Sequence, residues 1–164
     1  PSLLGGEGRG EGGLAAIAES INVRTTPTDT WDDIFYAVMA EKIEPHLGQG
    51  APTILYEYPA HMAALSRKKT ADPQFAERFE LYVCGIELAN AYSELTNPDE
   101  QRTRFEADMK QKQELYGESY PIDEDFLAAL KHGLPPCAGI ALGIDRLAML
   151  ACGAGDIKDV LWCE

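Results

Sequence analysis

The sequence lacks any run able to cross a bilayer. Its longest stretch free of Asp, Glu, Lys, Arg and His, Gly133 to Ile144, is twelve residues long and holds two prolines, whereas a spanning helix needs about 18 apolar residues. Cysteine is scarce and dispersed: Cys84, Cys137, Cys152 and Cys163 form no C-x-x-C pair, and no histidine stands at ligand spacing from them. Free thiols of a reducing compartment are expected, in place of a disulfide framework or a zinc site. Positive charge is also short, with 14 Lys and Arg against 27 Asp and Glu and a formal net charge of −13. A domain so charged repels nucleic-acid phosphates, which argues against non-specific DNA or RNA binding. Gly5, Gly6, Glu7, Gly8, Gly10 and Glu11 stand where a signal peptide would carry its basic segment and apolar core, so none is expected. The expectation is a soluble, cytoplasmic protein without a membrane partner.

What is present suffices for one core. The 164 residues are 45% apolar and 25% charged, enough for a single domain and too few for two ordinary ones. Residues 1–13 contain six glycines and only two large apolar side chains, so they cannot bury enough surface to offset their ordering entropy. A flexible glycine-rich tail over 1–13 and one folded unit over 14–164 are therefore expected. The tail's G-E-G-R-G-E-G-G is followed by no G-K-[ST], and Glu7 and Glu11 would repel phosphate, which argues against a phosphate loop. The chain starts at Pro1 without an initiator Met, as a fragment would.

Local signals predict an alternation of helices and strands. A short helix over 14–21 precedes a longer one over 30–46, where Ile34, Phe35, Val38, Met39 and Ile43 recur at three- and four-residue steps. Thr30 or an Asp caps it, and Pro45 and Gly48 stop it. The run TILYEY, 53–58, reads as a strand between prolines. In R-F-E-L-Y-V-C-G-I-E-L-A-N-A-Y-S-E-L, 78–95, two β-prone runs meet at Cys84-Gly85, a two-residue hairpin loop in which Gly supplies positive φ and Cys is a poor first residue. Asn97, Pro98 and Glu100 read as a cap, a first helical residue and the far half of a capping box, opening a helix that Gly117 ends after Tyr116. A shorter helix, capped by Asp123 and carrying Phe126, Leu127 and Leu130, ends at Gly133. A-G-I-A-L-G-I-D-R-L-A-M-L then reads as a strand, a glycine turn and a buried helix, with a short strand near Val160. His46, His61 and His132 read as solvated or capping residues, and Phe105 and Met109 as core.

The hairpin brings two carboxylates together. A loop at Cys84-Gly85 sets Val83 opposite Ile86 and Tyr82 opposite Glu87, so Glu80 shares a face with Glu87 and lies diagonal to it, roughly 5 to 8 Å away. Such a pair repels itself unless cations or donors intervene, and a magnesium-bound polyphosphate is one candidate. Solvated edge charges are the other reading.

The hairpin sequence, followed some forty residues later by A-G-I-A-L-G-I-D-R-L-A-M-L, resembles the C-terminal half of the catalytic domain of lysyl-tRNA synthetases. These are class II synthetases, whose third signature is a glycine-rich strand and turn running into an Arg at a helix start. The resemblance covers about Tyr56 to the C-terminus. It implies an α+β fold, an antiparallel sheet with flanking helices, forming part of a class II aminoacyl-tRNA synthetase-like catalytic domain. It further implies that Glu80 and Glu87 hold the magnesium of ATP and that Asn90, Tyr92 and Glu94 line the lysine pocket, with Glu94 accepting the ε-ammonium. Arg146 would stack on the adenine, and Gly139 and Gly143 would let backbone approach the nucleotide. Strict alternation, however, puts Asn90, Tyr92 and Glu94 on the face opposite Glu87, so a β-bulge or twist between Glu87 and Asn90 is expected.

The middle residue of the third signature is glycine in lysyl-tRNA synthetases and Ala141 here. Alanine at that place resembles the branch of the family that attaches a β-lysine to a lysine side chain of elongation factor P. One methyl in a tight pocket is worth about 1–3 kcal/mol of discrimination between amino acids. The class II dimer-interface signature and the second signature, whose Arg binds the α-phosphate, are not found. The chain is thus expected to hold part of an active site and to form no adenylate alone, and the resemblance implies a homodimer for the full-length protein. Ligation of lysine or β-lysine to elongation factor P is the leading expectation. Transfer to tRNA and a non-catalytic nucleotide-, amino-acid- or partner-binding module are the alternatives.

Overall fold

A computed structural model describes residues 11–162 of the chain; most of the glycine-rich tail, and Cys163, lie outside the described residues. The described residues divide into two compact units, one running to residue 53 with the hairpin tip 83–86, the other of 54–82 with the residues from 87 onward.

The first unit is helical. Helix α1 (Glu11–Ser20) begins three residues before the expected start at Leu14, and α2 (Trp31–Val38) follows. Thr30 caps α2 through a capping box, its hydroxyl accepting from the Asp33 N–H while the Asp33 carboxylate accepts from the Thr30 N–H. Ala18, Val23 and Ile34 form the core, with Leu14, Ala15, Ala37 and Val38 packed around them. The expected single helix over 30–46 is helical throughout but not uniform: α2 widens into a π turn over Met39–Ile43 and tightens to a 3-10 turn over Glu44–His46. Pro45 lacks an N–H and its ring crowds the preceding turn, so α-helical pairing cannot continue through it.

The second unit is built on a four-stranded antiparallel sheet with strands in sequential order. They are β1 (Thr53–Tyr56), β2 (Arg78–Val83), β3 (Ile86–Ser93) and β4 (Ala138–Leu142). β1 stops two residues short of the expected Tyr58 because Glu57 takes a left-handed φ of 63°. Helices α3 (Pro98–Tyr116), α4 (Glu124–Gly133) and α5 (Ile144–Cys152) flank the sheet. Asn97 caps α3 by accepting from the Asp99 and Glu100 N–H groups, and Gly117 closes it at φ 69°. The expected capping box does not form, because the Glu100 carboxylate takes the Arg104 guanidinium at 2.6 Å, a stronger donor than a neutral N–H. Phe105 and Phe126 join α3 to α4 with ring centroids 5.9 Å apart.

Two C-terminal expectations are corrected. Helix α5 is not buried: Met149 is its buried residue, while Ile144 and Leu147 are 63% and 42% exposed. Among the described residues β4 is the last strand of the sheet. In place of a strand near Val160 there is a 3-10 turn, Ile157–Asp159, started by the Asp156 carboxylate accepting from the Lys158 N–H. Among the described residues no helix is long and apolar enough to cross a membrane, and Cys84, Cys137 and Cys152 are free thiols.

Candidate active site

The β2–β3 hairpin closes as its sequence predicts. Cys84 and Gly85 have φ of 54° and 76°, positive at both central positions as a type I′ turn requires. Further along, the pairing is one residue out of step. The loop sets Val83 against Ile86, yet the Ser93 N–H donates to the Glu77 carbonyl at 2.9 Å. β3 therefore carries one more residue than β2 between these two pairings, which is a β-bulge. Burial marks the place, since Leu88 and Ala89 are consecutive buried residues where alternation allows one. The expected break between Glu87 and Asn90 is thus present.

The bulge turns Asn90 onto the face of Glu80. The Asn90 amide donates to Glu80 Oε1 at 3.0 Å and its Oδ1 accepts from Arg78 Nε at 3.2 Å. Arg78 Nη2 donates to the same Glu80 oxygen at 2.7 Å, and the hydroxyls of Tyr58 and Tyr82 donate to Oε2 at 2.5 and 2.8 Å. Glu80 is 7% exposed, and four donors occupy its acceptor sites. A carboxylate so buried is tolerable because a charged partner and hydrogen bonds replace its water. Burial, then the bond to Glu80, pushes the Tyr58 phenol well above its ordinary value, so it stays a donor. Arg78 also stacks over the Tyr58 ring, 4.5 Å from its centroid, and donates to the Met62 carbonyl.

Glu87 is neutralised separately. Arg146, in the first turn of α5, donates from Nη1 to the Glu87 carbonyl at 2.6 Å, and its carboxylate lies 3.6 Å from the same nitrogen. Gly143 caps α5 and donates its N–H to the Leu88 carbonyl at 3.0 Å. A Cβ at Gly143 would meet the Arg146 stem at 3.2–3.5 Å, so glycine leaves that stem room. Each carboxylate thus has its own donors, and among the described residues no group of three or more Asp, Glu, His or Cys gathers as a metal-holding cluster.

β3 and β4 pair in regular antiparallel register, Asn90 opposite Ala141 and Tyr92 opposite Gly139. The Glu94 N–H extends the ladder to the Cys137 carbonyl at 3.0 Å. The Glu94 carboxylate lies against Gly139, where a Cβ would collide with Oε1. Tyr92 lines a surface cleft of about 370 Å³ with Tyr56, Lys69, Glu77 and Arg78. Of the nine residues singled out from the sequence, eight therefore fall on β2, β3, β4 and the start of α5, and Glu94 stands in a bridge just past the end of β3. Sequence reasoning missed Arg78, Tyr58 and Tyr82, the partners of Glu80. Arg78 and Tyr82 stand two residues either side of Glu80 in a strand, which places them on its face; Tyr58 comes from another segment and left no such signal.

An antiparallel sheet carrying this hairpin, with a glycine-rich strand running into an Arg at a helix start, is the architecture of a class II synthetase. A family model described as tRNA synthetases class II (D, K and N) matches residues 37–162, and the chain belongs to that family. The elongation factor P–(R)-beta-lysine ligase of Pectobacterium carotovorum subsp. carotovorum (strain PC1) is 48% identical over 133 residues, covering 81% of this chain and 41% of the relative. The protein of that name in Vibrio cholerae is 47% identical over 148 residues, 90% of this chain and 44% of the relative. The one in Hamiltonella defensa is 51% identical over 119 residues, 73% and 37%. The chain spans less than half the length of these curated relatives.

Proposed function

We propose that this chain takes part in the ATP-dependent activation of lysine or β-lysine and its ligation to a lysine side chain of elongation factor P. The observation that carries the reading is the placement of Glu94, whose backbone is held next to β4 and whose carboxylate lies over Gly139, a residue with no side chain, where an ammonium can reach it. The name shared by the relatives supports the acceptor, and the net charge of −13 suits a protein acceptor better than a nucleic acid.

In this reaction the amino-acid carboxylate attacks the α-phosphorus of ATP and pyrophosphate leaves. The acceptor amine then attacks the adenylate carbonyl, losing a proton as AMP departs and an amide forms. Glu94 holds the substrate's side-chain ammonium, Asn90 and Tyr92 line its pocket, and Ala141, opposite Asn90, narrows the space that decides which amino-acid backbone fits. Arg146 stacks on the adenine, with Gly139 and Gly143 admitting the nucleotide. Glu80 and Glu87 are the proposed magnesium ligands. Carboxylate oxygens suit that ion; Glu87 is half-exposed, and Glu80 can exchange a neutral donor, Asn90 or a tyrosine hydroxyl, for a cation. Bound magnesium would offset the negative charge of the phosphates. A cytoplasmic location and a homodimer go with this reading.

The natural protein, given ATP, magnesium and (R)-β-lysine with either elongation factor P or tRNA, tests it. Mass spectrometry should show one β-lysyl addition on elongation factor P. Acylated tRNA instead would favour the tRNA ligase, and binding of lysine without either product a non-catalytic module.

A further inference from the structure

We infer that Arg104 of α3 is a positioning residue for Glu94, setting the protein's preference for an amino acid with a charged side-chain amine. Arg104 Nη1 donates to the carbonyls of both Ala64 and Ser66, at 2.7 and 2.8 Å, while Nη2 donates to Glu100 at 2.6 Å. Its side chain is 17% exposed and Ser66 is fully buried, so the bond to Ser66 is partly shielded from competing water, whereas the one to Ala64 is exposed. The segment it ties down is the one that borders Glu94. Ser66 and Glu94 form an antiparallel bridge, flanked by the Arg67 N–H donating to Ser93 at 2.8 Å and the Leu95 N–H donating to Leu65 at 2.9 Å. On its other side Glu94 is held by β4 through Cys137.

Glu94, just past the end of β3, is therefore a bridge residue between two neighbours of unequal firmness. β4 is a regular strand. The 64–67 segment is irregular, and Ala64 sits at φ 51°, a left-handed conformation that a residue with a side chain avoids. Such a segment keeps its shape only when its surroundings over-determine it. One charged nitrogen of Arg104, Nη1, donates to two carbonyls of this short segment, while the other arm of the planar fork holds Glu100 and so fixes the direction in which Nη1 points. Through that segment Arg104 fixes the backbone of Glu94, and so the place of its carboxylate over Gly139.

The inference rests on the reading of Glu94 as the ammonium acceptor, and the test separates the two. Dissociation constants of the natural protein are measured by calorimetry for lysine and for norleucine, which has the same carbon skeleton without the side-chain amine. Glu94→Gln should abolish the preference for lysine; if it does not, the reading of Glu94 fails. Given that loss, Arg104→Gln should lower the preference about 10-fold, the scale of a small misplacement of a binding group, with norleucine binding unchanged. Arg104→Lys, which keeps the charge but not the fork, should fall between. Amide exchange at Leu95 and Arg67 should quicken in both. An unchanged preference in whichever Arg104 variant folds, or equal weakening for both ligands, overturns the inference.

Discussion

The carboxylate of Glu94 occupies the space over Gly139 that a side chain at 139 would need. The two residues come from β4 and the end of the β3 run, and their contact fixes what each can be. Position 139 must be glycine for the carboxylate to lie there, and the obstructing atom is the far end of a flexible side chain rather than backbone.

Gly139→Ala should therefore separate binding from stability. The carboxylate can swing aside, so the melting temperature should move little, within about 1 kcal/mol of stability. Affinity for lysine should fall about 10-fold or more, as expected when a charged group leaves its binding geometry. Calorimetry and thermal unfolding on the same sample check this, and a variant that unfolds without losing affinity would argue against it.

Removing Arg78 should be costly. Its guanidinium and the Glu80 carboxylate are 17% and 9% exposed, and breaking a buried pair from one side typically costs about 3–5 kcal/mol. Arg78→Met should show a loss of that order in urea unfolding, and adding Glu80→Gln should recover part of it. A loss in Arg78→Met no larger than that of a surface substitution would contradict the account.

The pair of Arg67 and Glu77 sets an acid limit. Arg67 donates to Glu77 Oε2 at 2.9 and 2.6 Å and holds that carboxyl below its ordinary value of 4.5. A carboxyl depressed in the folded state contributes stability that is present above the unfolded value and is lost as pH falls through the folded one. Between pH values of about 5 and 3 the wild type should lose stability faster than Glu77→Gln, read as melting temperature against pH. Parallel curves would assign the acid sensitivity to other groups.

Cys84 is the residue least suited to its conformation. At φ 54° in a type I′ turn its Cβ is crowded, whereas Asn tolerates the left-handed region and favours this turn. Cys84→Asn should stabilise the hairpin by about 0.5–1 kcal/mol, seen as a higher denaturation midpoint with an unchanged slope.

Much of this protein was legible as local chemistry. The Thr30 and Asn97 caps, the Gly117 stop, the Asp123 cap and the Cys84-Gly85 loop rest on hydrogen bonds and φ preferences spanning a few residues, so neighbours in sequence sufficed to place them. The glycines of β4 and the acids of the hairpin were visible for the same reason. Tertiary structure decided the rest. A one-residue slip reverses every side chain of a strand, and only the pairing of β3 with β2 on one side and β4 on the other fixed the bulge that joins Asn90 to Glu80. Tyr58 beside Glu80 and Arg104 behind the Glu94 bridge depend on contacts between residues far apart in the chain, which no local pattern encodes. The apolar stripe of α5 likewise did not decide its burial, since Ile144 and Leu147 stay exposed.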